Sequence, residues 1–239
     1  MTVASKATHW RFWTIPIPEI LKRFTLSSPV LGGGVFGSSE RWSSHRQHGQ
    51  ASAKGKGTLV WIDCEMTGLD PDSDDIIEIF CLITNDQLEL VDDAGWGTVV
   101  HQSKERMDLM DEWCTRVHGN SGLTAAVIES AVTSEQAADQ LLAYVRCHIP
   151  DKGVALLAGN SVHVDQAFLR KGPYEKVLNH LHYRILDVSS LKEAARRWCP
   201  KISSTVPAKK TLHQARQDII ESIEEARHYK SAIFQTSRA

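Results

Sequence analysis

An apolar run, Leu59-Val60-Trp61-Ile62, passes without a break into Asp63-Cys64-Glu65-Met66-Thr67-Gly68. Leu59–Asp63 reads as a strand, and along a strand residues i and i+2 point to the same face. Asp63 and Glu65 therefore converge on one spot at the end of that strand. Two like charges held so close are costly unless a cation sits between them. Any fold that accepts this strand must end it where positive charge can reach both carboxylates.

Beyond this strand the pattern is mixed α/β. Asp70-Pro71-Asp72 makes a turn, Ile76–Thr84 a second apolar strand and Gly97–His101 a third. Helices are predicted over Ser103–Met110, Leu123–Ser130 and Ser134–His148. In the last of these Ala137, Ala138, Leu141, Leu142 and Val145 form one apolar stripe, with Thr133 or Ser134 as the cap. Val154–Gly159 is a buried strand that delivers Asn160 and Ser161 at its tip. A helix over Val162–Arg170 carries Asp165. Arg184–Val188 is a further strand, followed by a helix from Ser189 to Trp198. Pro200–Lys210 lacks periodicity and reads as a loop. A last helix, from about Thr211 to Phe234, should bury Ala215, Ile219, Ile223 and Ala226.

Charge divides the chain of 239 residues. Residues 1–56 hold eight Lys/Arg against two acids, a net of +6, so that residues 57–239 carry −8 within the overall −2. The acidic part argues against a protein that tracks along polynucleotides by many phosphate contacts. It still admits a short nucleic acid if bound divalent cations supply the positive charge. Residues 1–56 are rich in Ser and Gly, basic and acid-poor. They read either as a mitochondrial transit peptide or as a plain disordered tail, leaving one folded domain over 57–239. The first reading implies a mitochondrial location, with a cytoplasmic pool left open. Cys64, Cys81, Cys114, Cys147 and Cys199 are odd in number and form no Cys-x-x-Cys pair; they read as reduced, mostly buried thiols. No apolar run approaches the roughly 18 residues of a membrane-spanning helix.

The chemistry lies in five scattered side chains. Asp63 and Glu65 are followed by Asp165, behind Ala158-Gly159-Asn160-Ser161, and then by His213 and Asp218. Four carboxylates and one imidazole in this order suggest a two-metal site that cleaves phosphodiesters. Carboxylate oxygens suit hard cations such as Mg²⁺, for which Cys is no ligand. His213 is the candidate general base, since neutral imidazole near pH 7 can take a proton from water. Positions five apart on a helix differ by about 140°, so His213 should approach from the helix mouth or the loop before it. His163 reads as solvent-facing or as a neighbour of Asp165.

These residues resemble the DEDDh 3′→5′ exonucleases, and more closely the oligoribonucleases. The resemblance rests on Trp61 through Leu69, on Gly159-Asn160-Ser161-Val162-His163-Val164-Asp165, on His182 through Val188 and on His213 through Asp218. It implies a ribonuclease H-like fold, a central mixed β-sheet flanked by α-helices. It also implies two divalent ions, Mg²⁺ or Mn²⁺, held by Asp63, Glu65, Asp165 and Asp218. The implied partner is single-stranded RNA of two to about five nucleotides, cut to 5′-mononucleotides by a homodimer. Met66 and Leu69 would then abut a base and Trp113 would stack on one. Ser161, Arg184 and Ser189 would cap the 5′ phosphate, with Tyr183 supplied by the neighbouring subunit. Arg184 suits a phosphate because its fork pairs two oxygens at once. Where relatives often carry an acid before the final aspartate, this chain has Gln217. A DEDDh exonuclease for longer single-stranded DNA or RNA, and a non-catalytic nucleic-acid-binding module on the same fold, are the alternatives.

Overall fold

A computed structural model describes residues 57–208 and 214–235. Within them five strands form one sheet: β1 (Leu59–Met66), β2 (Ile76–Thr84), β3 (Trp96–Val99), β4 (Leu156–Gly159) and β5 (His182–Asp187). Their order is β3-β2-β1-β4-β5. β2 runs antiparallel to both β1 and β3, whereas β4 runs parallel to β1 and β5 parallel to β4. The helices are α1 (Lys104–Met107), α2 (Glu112–Ser121), α3 (Leu123–Glu129), α4 (Ser134–His148), α5 (His163–Leu169), α6 (Glu175–Leu178), α7 (Val188–Trp198), α8 (Pro200–Ser203) and α9 (Ala215–Tyr229). This is the expected mixed sheet between helical layers.

Two cores meet on the two faces of the sheet. Val60, Ile62 and Cys64 on one face of β1 pack with the α4 stripe, with Phe168 and Leu169 of α5, and with the inward side of β2. Leu59 and Trp61, on the other face, pack with Ile219, Ile223, Ala226 and Tyr229 of α9. Each such aliphatic side chain is worth roughly 1.5–3 kcal/mol when fully buried. This alternation decides where the acids go. Asp63 and Glu65 continue the Leu59–Trp61 face, so they emerge beneath the start of α9.

The expected stripes on α4 and α9 are buried as read. Thr133 caps α4 with a full capping box, its side chain on the Gln136 N–H and the Gln136 side chain on its own. Several boundaries differ. The helix expected over Ser103–Met110 is the single turn Lys104–Met107, capped at Ser103 and closed at Asp108, and β3 and β4 are shorter than expected, Trp96–Val99 and Leu156–Gly159. β5 begins at His182 and yields to α7 at Val188, because Asp187 caps that helix. Pro200–Ser203 forms a short helix rather than loop, since proline is well suited to a first helical turn. α9 ends at Tyr229 and a π-type turn, Lys230–Phe234, completes the segment. α2 was not anticipated. Its N-cap Asp111 accepts from Cys114 N, and burial of Cys114 and His118 holds it against the sheet. Cys64, Cys81 and Cys114 are buried free thiols, Cys199 is half-buried and Cys147 is exposed. Among the described residues no helix is long and apolar enough to cross a membrane. The segment 1–56, as well as Thr211–His213, lies outside the described residues.

Candidate active site

The end of β1 and the start of α9 bring Asp63, Glu65 and Asp218 together, with one carboxylate oxygen of each within 4.8 Å of the others. The regular ladder between β1 and β2 ends with Glu65 opposite Glu78, and its register shifts between Glu65 and Met66. Such a shift turns the strand end and re-aims its side chains. Asp218, in the first turn of α9, also accepts from the Gln214 backbone N–H at 3.1 Å, so the residue following His213 is tied to the cluster.

Asp165 reaches the same strand end from α5. It is not one of the three mutually close carboxylates. It is buried, and its Oδ1 accepts the Cys64 backbone N–H at 3.0 Å. Gly159 lets the two strands approach here: a Cβ at that position would stand 3.2 Å from the Ile62 carbonyl oxygen.

Burial and mutual repulsion push Asp63, Glu65 and Asp165 toward their protonated forms. Burial, then the charges of Glu78, Asp218 and Asp165, push Glu65 up to about 8. Burial pushes Asp165 up to about 7, against the lowering effect of the Cys64 N–H. Asp63 is pushed well up by burial and by the charges of Asp165, Glu65 and Asp218. A donor set made only of carboxylate oxygens, crowded until they repel, fits a hard divalent cation.

Glu78 belongs to this environment although it was not singled out. Burial pushes it up, and its carboxylate accepts the Ala215 backbone N–H at the start of α9. The signal was a lone acid inside the apolar run Ile76-Ile77-Glu78-Ile79. Two further groups frame the turn after β1. His118 Nε2 donates to the Met66 carbonyl at 3.0 Å. Arg106 donates to Asp75 Oδ2 at 2.6 Å, Thr67 Oγ1 at 2.6 Å and the Ser73 carbonyl at 2.8 Å. Together they fix the end of β1 at Met66 and the turn that bears Leu69, and Leu69 is left 79% exposed.

The remaining candidates fall in two places. Trp113 on α2 is 49% exposed and borders a hollow of about 360 Å³ lined also by Asp111, Glu112 and Arg116. Ser161 and Ser189 meet at the junction of β4 and α7, their hydroxyl oxygens 2.9 Å apart. Tyr183 and Arg184 stand exposed on β5, the guanidinium carbon 5.3 Å from the tyrosine ring centre. His163 is exposed and faces Asp187.

The exonuclease family profile matches residues 60–226. The mitochondrial oligoribonuclease of Saccharomyces cerevisiae is 49% identical over 177 residues, covering 72% of this chain and 65% of that protein. The human mitochondrial oligoribonuclease is 44% identical over 207 residues, covering 84% of this chain and 86% of that one. This chain thus spans just under two thirds of the yeast relative and most of the human one. Among solved structures, exonuclease I of E. coli with single-stranded DNA, in a zinc-bound form, aligns with TM-score 0.59 at 13% identity, covering 75% of this chain and 42% of that one. That likeness speaks for the fold. By the profile and by the identity to these relatives, this chain belongs to the exonuclease family and, within it, to the oligoribonucleases.

Proposed function

We propose that this protein is a 3′→5′ exoribonuclease that degrades very short RNAs, down to dinucleotides, to 5′-mononucleotides. The observation that carries the reading is the convergence of Asp63, Glu65 and Asp218 within 4.8 Å, beside the buried Asp165. Bound divalent ions, Mg²⁺ or Mn²⁺, would supply an acidified water and neutralise charge on the attacking and leaving oxygens. Asp63 is assigned as the shared ligand. Glu65 and Asp218 would complete one position and Asp165 would support the other.

The chain's own groups do the rest. His213 would accept the proton of the attacking water, a role a neutral imidazole fills near pH 7. Met66 and Leu69 would pack against a base. Trp113 would stack on another, a contact worth about 1–3 kcal/mol. Ser161, Ser189 and Arg184 would close on the 5′ phosphate, so that long chains are refused by shape. The −8 charge of residues 57–239 supports a substrate held by a few contacts and cations rather than by an extended basic surface.

A homodimer is part of this reading: Tyr183, 75% exposed, would reach the neighbouring subunit's phosphate site. Residues 1–56 would be a targeting segment ahead of the exonuclease domain 57–239. Their basic, acid-poor composition supports a mitochondrial location, as do the mitochondrial names of the yeast and human relatives. A length series of 5′-labelled RNAs from two to twenty nucleotides, with and without Mg²⁺, tests the whole proposal. Fast turnover of the shortest members that vanishes in chelator is expected. Comparable turnover at two and twenty nucleotides would instead indicate an exonuclease for longer single strands.

A further inference from the structure

We propose that Asp187 is a positioning residue that assembles the phosphate-facing end of the site, an inference that rests on the short-RNA reading above. Ser161 has a φ of +56°, a left-handed conformation that costs a non-glycine residue energy unless its surroundings impose it. Its N–H donates to Asp187 Oδ1 at 2.9 Å. The same oxygen receives the Ser189 N–H, also at 2.9 Å. One atom thus fastens the tip of β4 to the first turn of α7. The other oxygen, Oδ2, faces His163 Nδ1 at 3.1 Å.

The consequence is where the hydroxyls lie. Ser161 Oγ and Ser189 Oγ are 2.9 Å apart, and Ser189 donates its proton to Asn160 Oδ1 at 2.7 Å. With that proton committed, the Ser161 hydroxyl must be the donor between the two serines, because each carries a single proton. An incoming phosphate oxygen can take the Ser161 proton by rotation of the hydroxyl alone, with no backbone movement.

A carboxylate is the wrong charge beside a phosphate, so Asp187 does not recognise the anion. Two backbone donors occupy one of its oxygens and the imidazole the other, and only 10% of its side chain is exposed. What it contributes is geometry: it holds Ser161 in a strained conformation and sets the spacing of both serines.

Two variants of the full-length protein separate positioning from helix capping and from charge. Asp187→Ser keeps a side-chain oxygen for the Ser189 N–H and so can still cap α7, but it is too short to span to Ser161. Asp187→Asn keeps an acceptor that serves both N–H groups and removes the charge. Each is assayed with Mg²⁺ on a 5′-phosphorylated dinucleotide and on the same dinucleotide with a 5′ hydroxyl. Wild type should prefer the phosphorylated substrate through KM. In Asp187→Ser that preference should fall by about tenfold or more, the scale of a misplaced positioning group, with the loss in KM rather than kcat. Asp187→Asn should retain most of it.

An unchanged preference in the serine variant would overturn the proposal, as would equal losses on both substrates or a loss in the asparagine variant as large as in the serine one. If thermal melts show the serine variant unfolded, Asp187→Glu takes its place, since it keeps the charge and the acceptors but moves the shared oxygen by one methylene: a lowered preference supports the role and an unchanged one refutes it. A wild type with no preference for the 5′ phosphate would sink the cap reading itself, a different failure from that of Asp187.

Discussion

Two acidic centres lie at one end of this sheet, and they are built in opposite ways. At the end of β1, Asp63, Glu65 and Asp218 crowd together, and burial with the neighbouring charges pushes Asp63 and Glu65 up toward their protonated forms. At the end of β5, Asp187 is surrounded by donors, with two backbone N–H groups on one oxygen and an imidazole facing the other. The first centre is short of positive charge and is completed only from outside. The second is completed by the chain itself and serves as scaffold. Acids that repel one another mark a place to bind; acids that are saturated mark a place that is held.

Removing a carboxylate from each centre should therefore act in opposite directions on stability. Asp63→Asn should lower activity by roughly 10³-fold or more, the scale of losing a main electrostatic stabiliser. In chelator near neutral pH the same variant should melt higher than wild type, since a neutral amide replaces an acid that can be buried there only by taking up a proton. Metal-dependent hydrolysis that survives this change would refute the site assignment. A lower melting point would show that the first centre is not frustrated. His213→Ala should lower kcat by about 10²–10⁴-fold with substrate binding largely kept; a change confined to affinity would refute its role as base.

The contrast also has a pH signature. Glu65 sits at about 8 against an ordinary 4.5, and Asp165 at about 7 against 3.8. Between those limits the folded chain holds more protons than the unfolded one, so its stability falls as pH rises. In chelator the stabilisation present below about pH 4 should be lost progressively as the pH passes through 7 and 8. Added Mg²⁺ should restore it, most strongly at the alkaline end, where the carboxylates are ionised and free to bind. Thermal melts across pH, with EDTA or with Mg²⁺, measure both effects. Stability that rises with pH in chelator would contradict the picture.

What the sequence could convey follows the same division. Alternation along β1 is a local rule, so Asp63 and Glu65 were assignable to one face, and the α4 and α9 stripes named the packing partners of the strand. The scaffold centre was harder to see. Asp187 lay inside an expected strand, Arg184–Val188, although an acid two residues ahead of Ser189 is also an N-cap pattern. The left-handed Ser161 leaves no trace in composition, because it depends on an oxygen 26 residues away. Glu78 depends likewise on strand register, which brings it opposite Glu65. α2 contains Gly119 and Asn120, poor helix formers, so tertiary burial of His118 and Cys114 outweighs local preference there.

The smallest expected effect tests how far the scaffold extends. His163 is 66% exposed and touches only the outer oxygen of Asp187. Water can replace its N–H there, whereas the oxygen shared by Ser161 and Ser189 is filled by two backbone donors that water would have to displace. An exposed hydrogen bond of this kind contributes roughly 1 kcal/mol, so His163→Ala should change the preference for a 5′-phosphorylated dinucleotide by no more than about fivefold. Asp187→Ser should exceed it on the same assay. If the histidine variant matched the serine variant, the scaffold would have to be redrawn around the outer oxygen, and the two backbone donors would be secondary to the imidazole.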